Sequence, residues 1–105
     1  MDLKQVKYLL KCYVPFKVYC QNIELYGIAE FDDRENAAKT KSIYNMLHES
    51  IEALPSGLKA VIYGTVNGTP DNELAQMLGI SARSIRAKKK KGLEELADLL
   101  TQKNL

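Results

Sequence analysis

Apolar residues recur at helical spacing in the first part of the chain. Within residues 3–13, one face of the predicted helix carries apolar side chains and another carries lysines. The apolar positions are Leu3, Val6, Leu10 and Tyr13, and the lysines are Lys4, Lys7 and Lys11. Steps of three and four residues are typical of an amphipathic helix. Because proline lacks a backbone N–H and clashes with the preceding turn, Pro15 is expected to end or kink this helix.

Two patterns compete after Pro15. Alternate residues from Val14 to Cys20 are apolar, as in a strand. A longer stripe at helical spacing is formed by Phe16, Tyr19, Ile23 and Tyr26. A helix is the preferred interpretation, because proline is favoured in a first helical turn and no second strand is evident to pair with this one. Gly27 is expected to end the helix.

A second long helix is predicted from Arg34 to Ala53. Its expected inner face consists of Ile43, Met46, Leu47, Ser50, Ile51 and Leu54. A polar connection precedes the helix, and Asp32 or Asp33 in this connection is expected to cap it. Residues 1–53 are therefore predicted to form a helical hairpin, which serves either as a scaffold or as a surface for dimerisation or partner binding.

Residues 54–105 are predicted to form three further helices. Pro55 is expected to open the first of them. Its expected inner positions are Leu58, Val61, Ile62 and Val66. The pair Asn67-Gly68 predicts a turn, after which Thr69 is expected to cap the next helix and Pro70 to take its first position. The predicted fold class is all-α, with a helical hairpin followed by a three-helix domain.

Residues 69–96 have the pattern of two helices that cross at a tight turn. Gly79 is suited to this turn, because glycine adopts the left-handed conformation that often ends a helix. Ser81 is expected to cap the second helix. The side chains expected in the core around the crossing are Leu74, Ala75, Leu78, Ile80 and Ile85.

Charge is concentrated in the second of these helices. The chain has 15 basic and 13 acidic residues, for a formal net charge of +2. Six of the basic residues lie between Arg83 and Lys91, a stretch without an acid that we call the basic segment. Without these six, 9 basic residues stand against 13 acidic ones, so a body of charge −4 carries a segment of charge +6. Such a segment attracts polyanions through Coulomb forces and counterion release.

Residues 54–100 resemble region 4 of bacterial sigma factors and the phage regulators built on it. The likeness lies in Leu54-Pro55, in ELAQMLGIS at 73–81 and in GLEELADLL at 92–100. In that family the second helix of a helix-turn-helix lies in the major groove of promoter DNA, and the domain also contacts RNA polymerase. The resemblance therefore implies a sequence-specific transcription regulator whose partner is double-stranded DNA, with RNA polymerase as a candidate second partner.

The resemblance also implies roles for individual residues. Base contacts are expected from Ala82, Arg83, Ser84, Arg86 and Ala87. The resemblance implies phosphate contacts from Asn72 and Gln76. The charge of the basic segment, and not the resemblance, predicts phosphate contacts from Lys88, Lys89, Lys90 and Lys91. The family usually has an apolar residue at position 88 and an alanine at position 92. Either the aliphatic stems of the lysines cover the core here, or the helix is distorted near Gly92.

Two other functions fit the same pattern. No counterpart of sigma region 2 is present, which favours a small phage-type regulator over a complete sigma factor. One alternative is an interaction protein that binds RNA polymerase or a sigma factor without reading DNA. The other is the DNA-recognition subunit of a phage packaging machine. A monomer and a homodimer are both compatible with the sequence.

Little in the chain points to catalysis, to a cofactor or to a metal. His48 is the only histidine, and no phosphate-binding loop motif occurs. Cys12 and Cys20 lie two helical turns apart, about 12 Å, which is too far for a disulfide. We expect free thiols in a protein of the reducing cytoplasm. No apolar run reaches the length of a membrane span, so no membrane insertion is expected. Since no catalytic motif is evident, a non-enzymatic protein is expected.

Overall fold

The computed structural model describes residues 1–27 and 34–103, and every regular element within them is an α-helix. The helices are α1 (Leu3–Tyr26), α2 (Arg34–Glu52), α3 (Ser56–Val66), α4 (Asp71–Leu78) and α5 (Ala82–Gln102). The predicted all-α class is confirmed. None of these helices is both long enough and apolar enough to cross a membrane.

The first helix is longer than expected. It begins at a capping box, in which the Gln5 N–H donates to Asp2 Oδ1 at 2.8 Å and the Asp2 N–H donates to Gln5 Oε1 at 3.1 Å. It then runs through Pro15 to Tyr26, so of the two expectations for Pro15, an end or a kink, the end is wrong. Proline removes one backbone hydrogen bond, but buried side chains on both sides of it hold the helix by packing.

The ends of α1 and α2 follow the sequence prediction closely. Gly27 ends α1 with a positive φ of 77° and donates its N–H to the Ile23 carbonyl. The inner face of α2 buries Leu47, Ser50 and Ile51, while Ile43 and Met46 are half-buried. Leu54, just after the helix, is buried as well. The Ser50 hydroxyl donates to the Met46 carbonyl at 2.8 Å, so this buried polar group has a partner. The predicted caps Asp32 and Asp33 lie outside the described residues.

The larger of two core clusters draws on both predicted regions of the chain. Its buried members are Val6, Leu10, Tyr13, Leu47, Ile51, Leu54, Leu58, Ile62, Leu93, Leu96, Ala97 and Leu100. These side chains come from α1, α2, α3 and the second half of α5, except Leu54, which lies between α2 and α3. The second half of α5 is thus anchored in a core that residues 1–53 and 54–105 share. Division of the chain into two domains stays a prediction.

The turn between α3 and α4 differs from the expected one by one residue. The Thr69 N–H donates to the Gly64 carbonyl at 2.9 Å, so this amide closes the end of α3. Pro70 takes the cap position of α4 with an extended backbone, and no side chain caps the helix. The expected cap by Thr69 is therefore wrong, because α4 begins one residue later than the sequence pattern suggests.

Candidate nucleic-acid interface

A second, smaller core cluster fixes the crossing of α4 and α5. Its buried members are Val61, Leu74, Ala75 and Ile85, with Ile80 and Ala82 partly buried against them. Gly79 ends α4 in the left-handed conformation, with φ 68° and ψ 31°. The Ser81 hydroxyl then accepts from the Ser84 N–H at 3.1 Å and caps α5. The predicted roles of Gly79 and Ser81 are confirmed.

One expected core residue of this crossing is outside the core. Leu78 is 40% exposed, and its neighbour Met77 is 69% exposed. The prediction that Leu78 is buried is wrong, because α4 ends at this residue and the half-buried Ile80 packs against the cluster from the turn. Apolar surface is thereby left open at the end of α4.

The first half of α5 presents a cationic face to solvent. Arg83, Ala87 and Lys90 are all exposed and, at steps of four and three residues, share one face of the helix. Arg86 is also exposed and neighbours Arg83 and Lys90 at steps of three and four. Ile85, on the opposite face, has no exposed surface, so it fixes which way the helix is turned.

The remaining predicted base-contact residues lie at the edge of this face. Ser84 is half-buried and uses its backbone N–H in the cap with Ser81. Ala82 is half-buried because it packs against the smaller core cluster. The first turn of α5 contains no acid, so the positive end of its helix dipole is not neutralised from within the helix.

Two lysines of the basic segment lie against neighbouring helices. The Lys89 ammonium forms an ion pair with Asp71 at 2.6 Å, which ties α5 to the start of α4. The Lys88 ammonium lies beside the start of α3, 3.5 Å from the place a Cβ would occupy on Gly57. Both side chains are half-buried, whereas Lys90 and Lys91 are exposed.

Distortion of α5 near Gly92 is one of the two expectations for this part of the chain. Helix α5 runs through this buried glycine without interruption. A Cβ placed on Gly92 would lie 3.0 Å from two atoms of Ile62, which is tighter than most real contacts. Gly92 thus lets α5 approach α3 closely, and the nearby Lys88 and Lys89 are half-buried. Cover of the core seam by their aliphatic stems stays a prediction.

The outer side of α4 carries the other predicted phosphate contacts. Asn72 and Gln76 are exposed and lie one helical turn apart, on the same face. Glu73 is exposed beside them. Acid in the first turn stabilises α4 through the helix dipole, but an exposed carboxylate repels a phosphate. The amides of Asn72 and Gln76 are therefore the suitable donors on this helix.

A hydrogen-bonded group of aromatic residues joins α1, α2 and α3. The Tyr13 hydroxyl is 2.8 Å from His48 Nδ1, and Tyr63 donates a hydrogen bond to the Glu52 carboxylate. Burial raises the pKa of Tyr13 to about 12 and also raises the pKa of Tyr63. The hydrogen bond from Tyr63 lowers the pKa of Glu52. Spacing alone did not reveal this group, because its members come from three separate helices.

The cysteines are free, with Cys20 buried and Cys12 half-buried. Burial raises the pKa of the Cys20 thiol. Within residues 1–27 and 34–103, no three His, Cys, Asp or Glu side chains come close enough together to hold a metal ion.

Comparisons of the chain with models of protein families, with curated proteins and with solved structures found no match.

Proposed function

We propose that the chain is a sequence-specific DNA-binding regulator of transcription, in which α3, α4 and α5 act as a helix-turn-helix of the sigma region 4 type. One observation carries the proposal: the first half of α5 is an exposed, acid-free cationic face on a helix anchored at Ile85. An α-helix with its side chains is about 10–12 Å wide, which matches the width of the DNA major groove.

Within this proposal the exposed arginines read bases. Arg83 and Arg86 carry planar guanidinium groups that form paired hydrogen bonds with guanine in the major groove. Ser84 is suited to a single polar contact. The methyl groups of Ala82 and Ala87 suit contact with thymine methyl groups, although Ala82 is the less accessible of the two.

The other polar residues position the helix on the backbone. We assign phosphate contacts to Lys90 and Lys91, with Lys88 at the side towards α3 and with Asn72 and Gln76 from α4. Lys89 was expected to contact phosphate as well. Its ion pair with Asp71 competes with that role. We therefore assign Lys89 to the positioning of α4 against α5.

Selection of bound fragments from a pool of random DNA tests the proposal. We expect a short motif to be enriched over successive rounds, because arginines on a rigid helix discriminate between base pairs by about 1–3 kcal/mol for each good paired contact. A pool that is retained without enrichment of any motif would contradict sequence-specific reading. Loss of all binding would contradict DNA binding itself.

A second candidate function is protein interaction, with RNA polymerase or a sigma factor as the partner. It is favoured by apolar surface on α1, where Val14 and Val18 are exposed and Leu25 is 72% and Tyr26 83% exposed. Val14, Val18 and Leu25 lie on one helix face by their spacing. A gel-shift experiment with and without polymerase separates the two functions, because an interaction protein shifts DNA only when polymerase is present.

The assembly state separates the proposed regulator from a packaging subunit. We propose a monomer or a homodimer, in which a dimer would read two half-sites about one helical turn apart. Mass measurement in solution tests this expectation. A large closed ring would favour the packaging function instead.

A further inference from the structure

A second cationic stripe lies on α1, outside the interface proposed above. Lys4, Lys7 and Lys11 are exposed, and steps of three and four residues place them on one face of the helix. After the cap residue Asp2, the first acid along α1 is Glu24, near its far end. The first half of α1 is therefore, like the basic segment, a helical stretch with cations and without acids.

The α1 stripe adjoins the basic segment in space. Lys7 and Lys11 line a surface groove together with Thr65 of α3 and with Lys89 and Leu93 of α5. Lys89 belongs to the basic segment, and Leu93 lies one turn further along the same helix. The cations of α1 thus lie next to the end of the basic segment and not on a remote part of the molecule.

Within residues 1–27 and 34–103, the lysines of the α1 stripe form no ion pair, in contrast to several other lysines of the chain. Lys39, Lys59 and Lys103 each form an ion pair with a glutamate. The groove cation on α5, Lys89, is paired with Asp71. Among residues 1–27 and 34–103, no ion pair involves Lys7 or Lys11. Their charges are therefore available to an external anion.

We infer that Lys7 and Lys11 contact the sugar–phosphate backbone of the same duplex that α5 enters. This inference rests on the proposed function. Duplex DNA carries about one negative charge per 1.7 Å of its axis, so it presents an extended row of anions that suits two adjoining cationic stripes. Lysine, as a mobile point charge, needs no fixed geometry to bind a phosphate. The interface accordingly extends from α5 across the groove to α1.

The test measures the slope of log affinity against log salt concentration. The probe is a random-sequence duplex of about two helical turns, and the variant is the double substitution Lys7→Gln with Lys11→Gln. The matched control is Lys17→Gln with Lys41→Gln, which removes the same charge from exposed positions outside the groove. Lys90→Gln with Lys91→Gln serves as the comparison for the α5 contacts. Glutamine keeps most of the aliphatic stem, and circular dichroism checks that each variant folds.

We expect the groove variant to lower the magnitude of the slope by about 2, since each phosphate contact contributes about 0.9. The control should keep the wild-type slope.

A groove variant with the wild-type slope, beside a reduced slope for Lys90→Gln with Lys91→Gln, would overturn the inference and leave the proposed function standing. An equal fall in the control would overturn it too, because net charge alone would then explain the effect. If the groove variant keeps its slope but loses binding to RNA polymerase, the stripe serves an acidic protein surface instead. A wild-type chain without affinity for the duplex would overturn both proposals.

Discussion

Lys89 and Lys90 are adjacent in the basic segment, yet their surroundings differ. The Lys89 ammonium is held by Asp71 and its side chain is half-buried, whereas Lys90 is exposed on the face that carries Arg83. A run of four lysines gives no sign of this difference in the sequence. It arises because successive helical residues point in directions about 100° apart, so only some of the four face solvent.

This difference leads to a prediction for two single variants. Lys90→Ala should lower the slope of log affinity against log salt by about 1, because it removes one phosphate contact. Lys89→Ala should change the slope less and instead lower the free energy of unfolding by about 1 kcal/mol or less, since it breaks a partly exposed ion pair. Titrations at several salt concentrations and chemical denaturation measure the two quantities. Equal slope changes in the two variants would show that Lys89 leaves Asp71 to bind DNA.

Arg86 is the residue on which base reading is most open to test. Arg86→Ala should lose about 1–3 kcal/mol of binding free energy on the enriched site and much less on random duplex. Arg34→Ala is a suitable control, because Arg34 is an exposed arginine at the start of α2. Fluorescence anisotropy on the two duplexes gives the difference. Equal losses on both duplexes would assign Arg86 to phosphate contact instead.

At the scale of helices, the contact between α3 and α4 depends on Gly64. Glycine has a low intrinsic preference for the helical conformation, so the sequence alone indicates only that Gly64 weakens the end of α3. In the structure, a Cβ on Gly64 would overlap the side chain of Leu74, which is 3% exposed. The missing side chain is therefore what allows α4 to pack against α3.

Alanine substitutions at two glycines of α3 should have opposite effects. Gly64→Ala should lower the free energy of unfolding by about 1–3 kcal/mol, because it overpacks a closed core. Gly57→Ala should raise it by up to about 1 kcal/mol, since the added Cβ would meet only Lys88 Nζ, at an ordinary 3.5 Å. Chemical denaturation of both variants measures the changes. A Gly64→Ala variant as stable as Gly57→Ala would contradict the close approach of α3 and α4.

The helices show which features a sequence can and cannot predict. Local chemistry was sufficient for the Gly27 end, the Gly79 turn and the Ser81 cap, because each depends on a residue's own backbone or hydrogen-bonding preference. The expected burial of Leu78 is wrong, and so is a helix end at Pro15, which was one of two expectations there. Both outcomes depend on packing between distant parts of the chain. The candidate site follows the same rule. Exposure of Arg83 and Arg86 follows from helical periodicity, whereas the ion pair of Lys89 requires α4 in place.

At the scale of the whole molecule, α5 joins the two predicted regions. Its second half packs against α1 and α2, and its first half carries the candidate interface. A segment of charge +6 on a body of charge −4 also gives the molecule a strong charge asymmetry. Such asymmetry orients a protein as it approaches a polyanion and makes the association rate sensitive to salt.

The shared core predicts that residues 54–105 do not fold alone. Leu93, Leu96 and Leu100 would lose their contacts with α1 and α2, and exposing each side chain costs about 1.5–3 kcal/mol. Circular dichroism of the fragment should therefore show low helix content and no cooperative thermal transition, while the full chain shows both helix and cooperativity. A fragment that unfolds cooperatively would support two separate domains, divided between residues 53 and 54.

Mapping of the bound surface by nuclear magnetic resonance tests the central claim most directly. The backbone amide signals of the full chain are followed while a duplex that carries the enriched motif is added. The largest changes should fall on residues 82–91 of α5 and near Asn72 and Gln76 of α4, with smaller changes at Lys7 and Lys11. Changes confined to the exposed apolar surface of α1, or no change at saturating duplex, would contradict DNA binding through α5.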